Sequence, residues 1–167
     1  MSGEGLPATI AGTDGPNVLT GTSGRDVIAA HESLRSTFSA DGQQIYFTSD
    51  RSGGPQIYRM PVTGGSPERV SFTGGYNISP SISPDGRHLA YISRQNGAFK
   101  LYVGEIGKLG NAQAITESSD DESPSFAPNG RLIIYATRAQ GRDVLMTTTL
   151  DGKIKTRLLS SGLDVRE

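Results

Sequence analysis

Three turn dipeptides, Asp41-Gly42, Asp85-Gly86 and Asn129-Gly130, recur at intervals of 44 residues, and this period constrains the chain more than any other feature. Around them the sequence reads STFSADGQQIYFTSD, SPSISPDGRHLAYISR and SPSFAPNGRLIIYATR. Asp-Gly or Asn-Gly between two alternating runs is a strong β-hairpin signal, because a tight two-residue turn asks both residues for positive φ. Each copy is therefore predicted to hold a strand, a tight turn and a second strand. The register continues downstream. Ile45, Leu89 and Ile133 share one position, while Phe47, Tyr91 and Tyr135 share the position two further on, hence the same strand face. Glycine turns at Gly53, Gly97 and Gly141 lead to a third strand, with Ile57, Leu101 and Leu145 equivalent and Tyr58, Tyr102 and Met146 beside them. A second turn (TGG, GKLGN, DGK) leads to a fourth strand marked by Val70, Ile115 and Leu158. Four strands in a repeat of about 40–50 residues is the arithmetic of a β-propeller blade. An antiparallel sandwich would have to reach the same spacing three times by coincidence.

Composition agrees with an all-β chain. Hydrophobic residues make up only 34%, against 22 glycines and 9 prolines, as expected where strands alternate and turns are frequent. A net charge of -1 with no basic stripe gives no footprint for nucleic acid. There is no cysteine, which excludes disulfide and thiolate chemistry. No apolar run approaches the roughly 20 residues that span a bilayer, so the chain is not expected to cross a membrane. The opening MSGEGLPATI lacks the charged and apolar regions of a signal peptide.

The SPS-[IF]-[SA]-P-[DN]-G segment, the aliphatic-aromatic strand after it and the [IL]-Y third strand resemble the TolB family of propeller repeats. FTSDRSGGPQIYRMPVTGGSPERVSF, DESPSFAPNGRLIIYATRAQG and the closing TTTLDGKIKTRLLSSGLDVRE carry the likeness, which spans about Leu34 to Glu167. Related blades also occur in the propellers of prolyl-oligopeptidase-type peptidases. The resemblance implies blades of a six-bladed propeller and a non-enzymatic, periplasmic role in the Tol-Pal envelope system, with the peptidoglycan-associated lipoprotein Pal as partner. It also implies an N-terminal α/β domain that no segment here resembles.

Three blades are expected near 34–77, 78–121 and 122–167, half of such a propeller. A fourth inner strand would begin just beyond Glu167. Two chains meeting head to tail would close a ring by self-association. The other expectation is an open arc of marginal stability, because bare blade faces are poorly tolerated in water.

Residues 1–33 form a different segment. GTDGPNVLT is followed directly by GTSGRDVIA, a period of nine that resembles the RTX calcium-binding nonapeptide. The resemblance implies aliphatic core positions at Leu19 and Ile28 and Ca2+ ligands from Asp14, Asn17 and Asp26, with Asn17 standing where the second copy has Asp26. Two copies make about one coil, whereas such sites lie between stacked coils. A flexible N-terminal segment is the plainer expectation. The abrupt change of pattern between Ile28 and Leu34 also fits a recombined join.

No nucleophile, base or metal cage assembles in the sequence. G-x-S-x-G is absent, and His31 and His88 lie in no ligand-spaced motif. The most suggestive cluster is Asp120-Asp121-Glu122, in the loop between the outer strand of one blade and the inner strand of the next. Tyr76 and Asn77 fall in the same loop one repeat earlier, and Asp164 and Arg166 one repeat later. Loops on a rigid scaffold are where propellers bind, so these seven residues form the expected partner-binding face; a solvated loop with capping carboxylates is the plainer reading of any one of them. A protein-interaction scaffold is thus the leading expectation. A secreted calcium-binding module and the propeller lid of a peptidase are the alternatives.

Overall fold

A computed structural model describes residues 35–158. It contains twelve strands: β1 (Ser36–Phe38), β2 (Gln44–Ser49), β3 (Gln56–Pro61), β4 (Glu68–Arg69), β5 (Asn77–Ile82), β6 (His88–Gln95), β7 (Ala98–Glu105), β8 (Gln113–Ala114), β9 (Glu122–Phe126), β10 (Leu132–Ala139), β11 (Arg142–Thr149) and β12 (Lys155–Arg157). A single 3-10 turn, Leu109–Asn111, precedes β8. The strands form three antiparallel sheets in simple sequence order, β1 to β4, β5 to β8 and β9 to β12, as the repeat requires. The first strand of each sheet lies beside its counterpart in the next, β1 by β5 and β5 by β9.

The repeat positions explain how the blades stack. Leu89 and Tyr91 on β6, with Tyr102 opposite Tyr91 on β7, face the preceding sheet and close on Tyr46, Ile57 and Val70. One blade later Ile133 and Tyr135 face back onto Ala90, Ile92 and Leu101. Period-two alternation thus gives each blade a leading face of one aliphatic and two larger side chains, while the trailing face is Tyr46, Ile57 and Val70 in the first blade and Ala90, Ile92 and Leu101 in the second. Tyr91, Leu89, Ile92, Leu101 and Ile133 are fully buried, and each such side chain contributes about 1.5–3 kcal/mol of burial. The corresponding leading face of the first blade, Ile45, Phe47, Tyr58 and Met60, is buried as well.

The fourth strands are shorter than the sequence suggests. Val70, Ile115 and Leu158 lie just past β4, β8 and β12, yet each still donates its N–H across the ladder, to Ile57, Leu101 and Leu145 respectively at 2.9 Å.

The turns require a correction. Asp41, Asp85 and Asn129 do not take positive φ; only Gly42, Gly86 and Gly130 do, at 68–70°. The bonds from Ser39 N–H to Gln44 O, Ser83 N–H to His88 O and Ala127 N–H to Leu132 O close loops of four residues rather than two. The N–H of each glycine donates to the carbonyl three residues back, on Ser39, Ser83 and Ala127. The side chain before the glycine then accepts from the N–H two residues on, at 3.0 Å in all three copies. That side-chain bond, a turn motif natural to Asp and Asn, holds the residue on the right-handed side. The true two-residue turns with both residues at positive φ are Asn96-Gly97, between β6 and β7, and Gln140-Gly141, between β10 and β11.

Candidate partner-binding face

The loops entering β5 and β9 are stitched to the scaffold by one equivalent backbone bond each. The N–H of Asn77 donates to Pro55 O at 2.8 Å, and that of Asp121 donates to Phe99 O at 3.0 Å. A hydroxyl just past each fourth strand adds a second tie, Ser71 Oγ accepting from Ile57 N–H at 2.8 Å and Thr116 Oγ1 from Leu101 N–H at 3.0 Å. The two junctions are closed by different chemistry. Asp121 is 2% exposed; its carboxylate accepts directly from Leu101 N–H and from the hydroxyls of Thr116 and Ser118. Asn77 is also fully buried, but its amide nitrogen donates, to Thr73 O and Gln56 Oε1 at 2.7 Å. Gln56 is the acceptor that also takes the Ser71 hydroxyl, so the amide needs an intermediary where the carboxylate does not.

The expected face therefore divides. Asn77 and Asp121 hold the loops from inside. Asp120 and Glu122 are exposed on the surface of the same loop, Glu122 as the first residue of β9. Tyr76 is half-buried, packed edge-on against Phe99 at 5.7 Å between centroids. Arg94, exposed at the end of β6, lays its guanidinium 5.5 Å from the same Phe99 ring. Sequence reasoning missed Phe99 because it does not belong to the repeat, Pro55 and Asp143 standing at its position; Arg94 recurs as Arg138 and reads as an ordinary strand-end cation until Phe99 is placed beside it. Asp164 and Arg166 lie outside the described residues, as do Asp14, Asn17 and Asp26 of the nonapeptides and His31.

Aromatic rings edged by an arginine and two carboxylates suit recognition of a protein surface. Among the described residues no group of three or more His, Cys, Asp or Glu is placed to hold a metal ion. His88 opens β6 half-buried, with its N–H bonded to Ser83 Oγ at 2.9 Å. No described helix is long and apolar enough to cross a membrane.

Comparison with known proteins places this architecture. A family profile described as the TolB beta propeller domain matches residues 20–167. A 28-residue stretch is 71% identical to the Tol-Pal system protein TolB of Polaromonas sp. (strain JS666 / ATCC BAA-500), covering 17% of this chain and 7% of that protein. The crystal structure of TolB from Acinetobacter baumannii superposes with a TM-score of 0.73 at 38% identity, over 80% of this chain and 33% of that one. The putative TolB from Agrobacterium tumefaciens, at 23% identity, shares the fold, with a TM-score of 0.74 over 87% of this chain and 50% of its own. The chain thus spans a third to a half of these solved relatives and a small fraction of the curated one. With blades, junctions and profile in agreement over most of its length, the chain belongs to the TolB beta propeller family.

Proposed function

We propose that this chain is a protein-binding propeller segment of the Tol-Pal type, working in the periplasm, and that the face bearing Tyr76, Arg94, Asp120 and Glu122 contacts the peptidoglycan-associated lipoprotein. One observation carries the reading. Each loop of this face is pinned by two or more internal bonds, through Asn77 or Asp121, so the exposed side chains beside them are presented at little entropic cost on binding. Scaffolding needs no catalytic group, and none is invoked.

Isothermal titration with the purified soluble domain of a peptidoglycan-associated lipoprotein tests this. Saturable binding is expected, weakened about tenfold by the double change Asp120→Ala, Glu122→Ala. No heat of binding at high micromolar concentration would overturn it. Light scattering of the chain alone, showing a mass of two copies, would favour the ring instead.

A further inference from the structure

The outer wall between the first two blades carries a groove of about 210 Å3. Its floor is the inter-blade core itself, Tyr46, Val70 and Leu109, each less than 10% exposed. Phe72 stands on its flank at 64% exposure, among the most exposed large apolar side chains described. The Arg69 guanidinium lies 5.3 Å from the Phe72 ring, anchored by a 2.6 Å bond from Nε to Ser71 O. Arg59 and Lys108 complete a cationic lining against the single carboxylate of Glu68, which Arg59 holds at 2.8 Å, with Glu105 behind Lys108.

The next blade supplies an internal control. Matching the ladders, Arg59, Glu68, Arg69 and Phe72 correspond to Val103, Gln113, Ala114 and Glu117. That blade folds with the same register and the same backbone tie at Ile115. The fold therefore does not require an arginine or an exposed phenylalanine at these positions, and their presence in the first blade calls for another explanation. A stacked, half-tethered guanidinium is pre-ordered for carboxylates. The groove volume lies below the range of about 300–1,000 Å3 typical of small-molecule sites and suits one inserted side chain.

We infer that this groove is a second docking site, separate from the loop face, for an acidic segment of a partner protein that inserts one aromatic or aliphatic side chain against Phe72 and Val70 while its carboxylates meet Arg69, Arg59 and Lys108. The inference does not depend on the loop face or its partner.

The test is fluorescence anisotropy with a labelled peptide that carries one phenylalanine between paired aspartates. Binding to the wild-type chain is expected to weaken as salt screens the arginines. Arg69→Ala and Phe72→Glu, which copy the neighbouring blade and should fold, are expected to weaken it about tenfold each. Glu117→Ala, at the matching position of the next blade, should bind as wild type. Equal binding by Phe72→Glu, or equal binding of a peptide with alanine in place of phenylalanine, overturns the proposal. So does failure of the peptide to bind while phosphatidylglycerol vesicles do, since the patch would then serve a lipid surface.

Discussion

The carboxylate of Asp121 accepts a hydrogen bond at 3.1 Å from the backbone N–H of Leu101, joining the loop that leads into the third blade to the third strand of the second. The same group takes the hydroxyls of Thr116 and Ser118, so one buried side chain satisfies three donors. Removing it leaves the buried Thr116 hydroxyl without its acceptor, a loss of about 1–3 kcal/mol for a buried donor, while Leu101 N–H keeps its bond to Thr116 Oγ1. Asp121→Ala is expected to lower unfolding stability by about 3 kcal/mol in urea titration, with the folded register retained. Asp121→Asn should cost less, about 1–2 kcal/mol. It will not be neutral, because Lys100 stands where Gln56 serves the natural amide at Asn77 and offers no acceptor.

A contrast between two glycines separates backbone conformation from crowding. Gly141 and Gly152 have nearly the same φ, 75° and 71°. A Cβ on Gly141 meets open space, whereas one on Gly152 would overlap the carbonyl oxygen of Ile115 across the blade junction. Gly141→Ala is expected to cost about 1 kcal/mol, the left-handed penalty alone. Gly152→Ala should cost appreciably more and shift the second and third sheets apart, measurable as a larger fall in Tm.

Three turn carboxylates set the acid limb of stability. The Ser39 hydroxyl, and then the Gln43 N–H, hold the Asp41 carboxyl below its ordinary range. Ser83 with Arg87 N–H does so for Asp85, and Thr149 with Lys153 N–H for Asp151. A carboxyl depressed in the folded state contributes stability that is present above its unfolded value of 3.8 and is lost as pH falls through the folded value. Stability is therefore expected to decline below about pH 4, the ordinary carboxylate range. Asn129 keeps the same 3.0 Å bond with an amide, so Asp41→Asn with Asp85→Asn should fold at neutral pH and flatten that decline.

The alkaline limb belongs to two buried tyrosines. Burial pushes the hydroxyls of Tyr91 and Tyr135 up to about 12, with the Asp121 charge adding to the effect at Tyr135. Each keeps its proton in the folded chain at a pH where the unfolded chain, with pKa 10.0, releases it. Their contribution is complete below pH 10 and is lost as pH rises toward 12. Absorbance titration of the phenolates should show these two lagging, and Tyr91→Phe should make the midpoint of unfolding less sensitive to pH in that window.

Much of this was legible in the sequence because it is local or periodic. The 44-residue spacing determined the number and order of strands, and period-two alternation determined that Leu89 and Tyr91 share one strand face. These follow from chain geometry that every copy repeats. The turn class was misread because Asp41-Gly42 and Asn96-Gly97 look alike as dipeptides; the Gln43 N–H donating to the Asp41 carboxylate and the Gly42 N–H donating to Ser39 O set the first apart. Whether a polar residue of a connecting loop faces water or the junction was decided by tertiary structure alone. Asp120, Asp121 and Glu122 are neighbours of the same charge, yet only Asp121 meets Leu101 N–H, Thr116 and Ser118, because those donors come from a strand and a loop that folding brings together. Phe72 and Arg69 make the same point outward: their groove exists only where the second blade's 3-10 turn comes to rest against β4.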